Sequence, residues 1–478
     1  MRVLEHLEPK KVFGFFEELC AIPHGSRHNT AISNWLVQFA AKRGLEHYQD
    51  AAENVIIIKP ATPGYEAAEP VMIQGHMDMV CVKDNDCAKD MAAEGLDLAV
   101  DGDFVFARGT TLGGDDGIAV AMGLALLDST DVAHPRLEVV ITTDEELGME
   151  GAVALDASVL QATRMLNIDS EAEGIFTVSC AGGAGAKVHL PVKYKAFSGA
   201  AATVIVSGLA GGHSGTEIHK GYGNADMLLG RVLYAAAAKT ALRLVSVEGG
   251  EKDNAIPSVA RAVVYVEDLA VLRSVCAELE GILRREYAVT DPGVSVLVLA
   301  EGDGAAMDEE STQRVLCLLT CAPNGVQVMS ADIPGLVQTS LNLGVLYTDK
   351  DEVVASFCVR SSVESQKTML LERLECLTRQ LHGTLVVSGV YPGWAYRQNS
   401  PLRELMTTVF VEQYGVEPKI EALHAGLECG LFAGKIPGLD CVSFGPDLLE
   451  IHTPRERMSI SSVQRTWRFL VELLRQMK

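Results

Sequence analysis

Positive charge is scarce in this chain: across 478 residues, 40 Lys and Arg stand against 63 Asp and Glu, a formal net charge of −23. So acidic a surface repels nucleic acid and anionic membranes, and it suits cations or a cationic substrate. No Cys-x-x-Cys pair occurs, and the 11 cysteines are odd in number and scattered without framework spacing. That argues against a disulfide scaffold and against thiolate zinc chemistry, and predicts reduced thiols in a cytoplasmic protein. A basic segment followed by an apolar one is missing from the start. The longest apolar run, around residues 118–127, is far short of the roughly 20 residues a membrane helix needs. Apolar residues are nonetheless plentiful, 48% hydrophobic against 22% charged, which excludes disorder, collagen and coiled coil and is ample for more than one buried core.

The apolar residues are arranged in two textures. Val12, Phe15, Phe16 and Leu19 fall on one helical face behind Pro9, and Asn29 is expected to cap a second helix burying Ile32, Trp35, Leu36 and Phe39, with Gly44 at its end. Short apolar runs at 55–58, 71–73, 137–142 and 165–168, with a helix over 117–127 among them, predict buried strands of an α/β sheet covered on both faces. After the small-residue stretch 179–185 the strands alternate, as at 187–192 and 201–206, and two α/β stretches follow in tandem without a sequence repeat. Tyr391-Pro392-Gly393-Trp394 marks the return, and Val463, Trp467, Leu470, Val471 and Leu474 predict a closing helix. The fold expected is α/β: a discontinuous catalytic domain, 1–185 and 393–478, with a mostly parallel sheet flanked by helices, plus an inserted α/β lid, 186–392, made of two halves.

Candidate chemistry gathers at strand ends. His76-Met77-Asp78 follows an apolar strand, where residues two apart share a side, so Asp78 can orient the His76 imidazole. Gly113-Gly114-Asp115-Asp116-Gly117 sets two acids between glycines before a helix; an N-cap explains one acid, and the other, Asp115, is suited to being shared between two metal ions. At the end of an apolar strand, Thr142-Thr143-Asp144-Glu145-Glu146 offers neighbouring glutamates expected to face opposite ways, so that one can bind a metal while the other reaches the attacking water as general base. Asp169 ends another strand, and His452 precedes the closing helix. Each motif alone has an ordinary reading as a polar pair or acidic turn. Together they form a mixed His/carboxylate set suited to zinc, with cobalt or manganese as alternatives. Asp115, Glu146 and Asp169, two divalent ions and one hydroxide would sum to neutrality, which keeps burial of the centre tolerable.

The order His76-Met77-Asp78, Gly114-Asp115-Asp116-Gly117, Asp144-Glu145-Glu146, Asp169, His452 resembles the co-catalytic zinc peptidase family that includes carboxypeptidase G-like enzymes, carnosinases and aminoacylases. Further strings, Gly211-Gly212-His213-Ser214-Gly215, Asn254-Ala255-Ile256-Pro257, His424-Ala425-Gly426-Leu427-Glu428-Cys429-Gly430 and Ile451-His452-Thr453-Pro454, are similar to its aminoacyl-histidine dipeptidase (peptidase D) branch. The resemblance implies hydrolysis of small dipeptides, preferably Xaa-His such as β-alanyl-histidine, by a homodimer. It implies one metal on His76, Asp115 and Asp169, and a second on Asp115, Glu146 and His452. Glu145 would be the base, with Asp78 orienting His76. His213 would stabilise the oxyanion, and Asn254, Arg360 and Gly426 would bind the substrate's C-terminal end.

Rival readings are an N-acyl amino acid amidohydrolase and a catalytically silent metal-binding relative. A serine hydrolase is disfavoured because Gly212-His213-Ser214-Gly215-Thr216 misses the nucleophile elbow at its last position. Gly430-Leu431-Phe432-Ala433-Gly434-Lys435-Ile436 is one residue short of a phosphate-binding loop.

Overall fold

The computed structural model describes residues 2–478, which fall into two compact units. The first comprises the chain through Ser179, Tyr396–Ala422 and Leu427–Lys478; the second comprises Cys180–Ala395 and Leu423–Gly426. Among the described residues, no helix is long and apolar enough to cross a membrane.

The first unit is built on an eight-stranded sheet in the order Glu46–Gln49, Val55–Lys59, Leu137–Thr142, Val71–His76, Arg164–Asn167, Asp440–Ser443, Ile175–Cys180, Lys419–Leu423. The four central strands are parallel. Both margins turn antiparallel, at Glu46–Gln49, Val55–Lys59 and Ile175–Cys180. All residues of Val71–His76 and Leu137–Thr142 are buried, as continuous apolar runs covered on both faces demand. Register aligns His76 with Thr142 and Gln74 with Asn167, so two strands finish level at one edge and the third stops two residues short, where Asp169 comes level with His76. Helix Gly114–Asp128 packs on this sheet, and Gly75 permits the approach: a Cβ there would lie 2.7 Å from the Ala119 Cβ.

The closing helix, Ile460–Gln476, buries Val463, Phe469, Leu470, Leu473 and Leu474. Trp467 and Val471, expected on its inner face, are only partly covered. The face is rotated toward Phe469, which joins Phe176, Phe410 and Phe444 in one aromatic cluster with centroids 5.4–5.8 Å from the Phe469 ring. Asn29 occupies the N-cap position of helix Thr30–Lys42 but makes no capping bond. Its Nδ2 donates instead to Asp144 Oδ1 at 2.8 Å, so a residue expected to end a helix also braces a loop beside the candidate site.

The second unit is a nine-stranded antiparallel sheet, with Gly325–Met329 paired beside the path Ser295–Leu299, Ala200–Ser207, Ala260–Val266, Leu242–Gly249, Val337–Asp349, Glu352–Ser361, Gly182–Pro191, Thr384–Tyr391. The two tandem stretches meet where Glu248 and Gly249 pair with Tyr347 and Leu346, making one continuous sheet. Strands bury alternate residues, as at Ala202, Val204 and Val206, against helices Ala225–Ala237, Leu269–Glu286, Glu309–Cys321 and Glu364–Gln380.

Asp226, in the first turn of helix Ala225–Ala237, is fully buried, and neither of its carboxylate oxygens has a hydrogen-bond partner. Burial alone pushes its pKa up to about 8. An unfolded Asp titrates near 3.9, so the folded state binds the proton more tightly, and stability falls as pH rises from about 4 to about 8. The full loss is on the order of 5 kcal/mol. Asp226→Asn should therefore flatten the dependence of the urea midpoint on pH across that window. Parallel pH profiles for the two proteins would contradict this.

Candidate metal centre

Seven of the residues singled out from the sequence gather in the first unit. His76 ends its strand, Asp169 lies two residues beyond Arg164–Asn167, and Glu145 and Glu146 follow Leu137–Thr142. Asp115 has its two oxygens directed at two histidines: Oδ1 lies 3.2 Å from His76 Nε2, and Oδ2 lies 3.1 Å from His452 Nε2. His76 Nε2 is also 3.6 Å from Asp169 Oδ1, and His452 Nε2 is 2.9 Å from Glu146 Oε1. Asp115, Glu146 and His452 form one group compact enough to hold a metal ion. His76 and Asp169 form another with Asp116, and His76 forms a third with Glu145 and Glu146. Asp116 is partly committed elsewhere, since its Oδ2 accepts the His76 backbone N–H at 3.2 Å.

The loop bearing Asp115 follows Gly113, whose φ of +67° is a left-handed conformation favouring glycine and where a Cβ would come within 2.8 Å of Met79 Sδ. Asp115 and Asp116 depart from helical backbone geometry. Buried Glu456 holds this loop: Oε2 accepts Leu112 N–H at 2.7 Å and Gly113 N–H at 3.1 Å, and Oε1 accepts Gly114 N–H at 2.8 Å and Asp115 N–H at 3.4 Å. Sequence reasoning passed over Glu456. Its signal was its position four residues after His452, which puts a ligand candidate and the clamp of the opposing loop on one short segment.

Asp78 does more than orient a ring. His76 Nδ1 lies 3.0 Å from the Asp78 carbonyl and 3.4 Å from its carboxylate. The same carboxylate accepts the Glu145 backbone N–H at 3.0 Å and the Ser26 hydroxyl at 2.8 Å. Glu145 and Glu146 depart from the opposite-facing arrangement expected of an extended strand end. The strand stops at Thr142, Asp144 takes a left-handed φ of 49°, and Glu145–Leu147 forms a 3-10 turn that gathers both glutamates at His76. Below them, Thr142 Oγ1 donates to buried Glu428 at 2.7 Å, and Asn167 Nδ2 donates to Gln74 Oε1 at 2.6 Å, tying the ends of the central strands together.

The electrostatics call for cations. Burial, together with Asp169, Glu428 and Glu146, holds Glu145 well above the usual carboxylate range despite the opposing pull of His76. Burial and the neighbouring Asp115 and Glu146 push Asp169 up to about 6, and burial with Asp115 and Asp169 pushes Glu171 up to about 7. Burial also raises Asp115, but the two imidazoles outweigh it and hold that carboxyl low. Asp115 and Glu146 lift His452 to about 10. Among the described residues no lysine or arginine pairs with Asp115, Glu146 or Asp169; their ion-pair partners are the two histidines. Crowded carboxylates with imidazole Nε2 atoms between them fit divalent cations of the zinc, cobalt or manganese type.

The second unit carries the remaining candidates. Thr216 N–H donates to His213 Nδ1 at 3.1 Å, which leaves the ring proton on Nε2. Burial and Arg360 lower the His213 pKa, favouring this neutral form. His213 pairs with Ala255 in a short ladder, and the Asn254 carbonyl accepts Ser214 N–H at 2.8 Å. Arg360 is buried; it donates to the Tyr391 hydroxyl at 3.2 Å, and its Nε has no partner. It is thus no surface salt-bridge donor. His424, which sequence reasoning quoted without a role, lies near Arg360 and His213. It contacts Ser340 Oγ at 2.7 Å, and burial with those two neighbours lowers its pKa to about 3. Gly426 closes the short segment Leu423–Gly426 of this unit.

Residues 72–476 match the model of peptidase family M20/M25/M40, and the chain belongs to that family. It is a metallopeptidase, a hydrolase. It is 38% identical, over 100% of its own length and 99% of the relative's, to the cytosol non-specific dipeptidase of Escherichia coli. The crystal structure of aminoacylhistidine dipeptidase from Vibrio alginolyticus is similar with a TM-score of 0.95 at 36% identity, covering 99% of this chain and 98% of that one. The aminopeptidase PepT of Bacillus cereus, at 16% identity and a TM-score of 0.56 over 98% of this chain and 99% of that one, shares the fold.

Proposed function

We propose that this chain hydrolyses dipeptides, preferentially Xaa-His, at a centre of two divalent metal ions, most simply zinc. The observation that carries the reading is Asp115, with each carboxylate oxygen facing a different histidine Nε2 at 3.2 and 3.1 Å. His76, Asp115 and Asp169 would hold one ion, and Asp115, Glu146 and His452 the other. When bound, such ions polarise the scissile carbonyl and lower the pKa of water toward about 7. Glu145 takes the proton from the attacking water and returns it to the leaving amine. Asp78 steadies His76 and the Glu145 backbone together. His213, carrying its ring proton on Nε2, donates to the developing oxyanion, from this chain or from its mate in a homodimer. Arg360 pairs with the substrate carboxylate, with Asn254 and the Gly426 backbone completing that end, so that residues are counted from the C-terminus and long peptides are excluded. In this reading residues 1–185 and 393–478 are the catalytic domain and 186–392 the lid. The similarity to a relative named a cytosol dipeptidase supports a cytoplasmic enzyme.

Chelation followed by dialysis should abolish activity, and zinc, cobalt or manganese should restore it. The reloaded enzyme should cleave β-alanyl-histidine and other Xaa-His dipeptides faster than dipeptides lacking histidine, and should leave N-acetyl amino acids largely intact. Faster turnover of the N-acetyl substrates would instead make it an amidohydrolase, and full activity in metal-free protein would end the metal reading.

A further inference from the structure

The segment that carries His452 is the loop of a hairpin. Its strands, Leu448–Leu449 and Arg457–Ser459, join Phe104–Ala107 and Leu98–Asp101 in a four-stranded antiparallel sheet of the first unit. Alternation sorts the side chains of such a sheet. Val105 and Met458, paired across it, are fully buried, so their neighbours Phe104, Phe106 and Arg457 stand on the other face. Polar residues are expected on that face, yet it carries two aromatic rings, both only partly covered. With the hairpin loop they line a cavity of about 320 Å³. That is the small end of ligand pockets, roughly 300–1,000 Å³, and gives room for a single amino acid.

Charge surrounds the rings in both signs. Arg455 and Arg457 bring guanidinium groups to the cavity wall, and Asp101 and Glu450 bring carboxylates. The Arg457 guanidinium lies 5.1 Å from the centre of the Phe104 ring. Glu456 also borders the cavity, but its carboxylate is spent on the amides of residues 112–115. Two positive and two negative groups remain, and a lining that cancels in this way suits a ligand of no net charge whose own charges are separated. A guanidinium fork takes a carboxylate, Asp101 takes an ammonium group, and Phe104 and Phe106 offer ring faces and edges to a flat side chain.

The loop ties this cavity to the metal centre. Glu450 and His452 both take left-handed backbone geometry, with φ of 53° and 59°. Glu450 braces the loop: its carboxylate meets Arg455 Nε at 2.6 Å and Arg457 at 3.5 Å, and its carbonyl accepts the Thr453 hydroxyl at 2.7 Å. His452 sits inside that brace, two residues after Glu450 and three before Arg455. We propose that the cavity binds a free α-amino acid with an aromatic side chain, whose carboxylate draws Arg455 off Glu450 and so loosens the loop that holds His452 opposite Asp115 and Glu146. Dipeptide hydrolysis releases amino acids of this class, so, resting on the dipeptidase reading above, the site slows the enzyme as its product accumulates.

Equilibrium dialysis of radiolabelled phenylalanine against the metal-loaded enzyme should show a saturable site that is lost in Phe106→Ser and in Asp101→Ala. Phenylethylamine, phenylacetate and glycine, each lacking one of the three recognised features, should compete poorly for it. With β-alanyl-histidine as substrate, phenylalanine should lower the kcat of the wild-type enzyme severalfold. Phe106→Ser and Asp101→Ala should match the wild-type kcat in the absence of phenylalanine, which also shows them folded, and should lose its effect on kcat. Arg455→Ala, which removes the brace, should be slow from the start and indifferent to phenylalanine. Absence of binding, equal binding in wild type and both cavity variants, or inhibition that raises KM alone would overturn the proposal. Failure to cleave any dipeptide would count against the dipeptidase reading, and the dialysis comparison would then still decide whether the cavity takes an aromatic amino acid.

Discussion

Glu145→Ala is expected to lower kcat by about 10²–10⁴-fold, the usual contribution of a general base, while the metal content of the protein stays unchanged. The expectation separates two glutamates that are adjacent in sequence and gathered at the same histidine. Glu146 Oε1 lies 2.9 Å from His452 Nε2, among the ligand candidates. Glu145 has no such bond to His452, and burial with its acidic neighbours raises its affinity for a proton. Glu145 therefore suits proton transfer, and Glu146 suits metal binding. Glu145→Gln keeps the size of the side chain without the basic oxygen pair and should be as impaired as the alanine variant. Metal content by plasma mass spectrometry, measured alongside kcat, is the decisive comparison. Near-normal turnover in either variant would remove Glu145 from the mechanism, and loss of one ion from Glu145→Ala would make it a ligand.

Asp115→Asn should have the larger effect on metal. The carboxylate serves His76 on one oxygen and His452 on the other, so replacing one of those oxygens with an amide nitrogen disturbs both positions at once. The charge changes as well, leaving Glu146 and Asp169 to offset two divalent ions. Outer partners of metal ligands are worth about 10–100-fold in affinity, and a shared ligand should be worth more at each position. His452→Ala offers the contrast, since it touches one group only. After dialysis, His452→Ala should retain close to one ion per chain and Asp115→Asn close to none. Two tightly held ions in Asp115→Asn would exclude it as the bridge.

The parallel centre of the first sheet is readable from the sequence because continuous apolar runs end in acids or histidine, and strand ends at one level bring such residues together. The antiparallel margins are not: Glu46–Gln49 is short, polar and largely exposed, and no periodicity betrays it. Glu456 was hidden for a different reason. A glutamate next to Arg455 and Arg457 reads as part of a charged surface turn, and only a folded loop at 112–115 supplies the amides that give it a purpose. The turn at Asp144 likewise lies beyond pattern reading, because a left-handed residue other than glycine is selected by its surroundings, here the Arg27 amide and Asn29 bonded to its carboxylate. Arg360 was visible as a cation, but its burial beside Tyr391 became apparent only in three dimensions.

Glu456 and His452 arrive late during synthesis, more than 330 residues after the loop they face. A nascent chain emerging from the ribosome thus exposes Gly113-Gly114-Asp115 with its amides held only by water and with His76 but not His452 to face Asp115, so the candidate metal centre stays incomplete until that last segment has been translated.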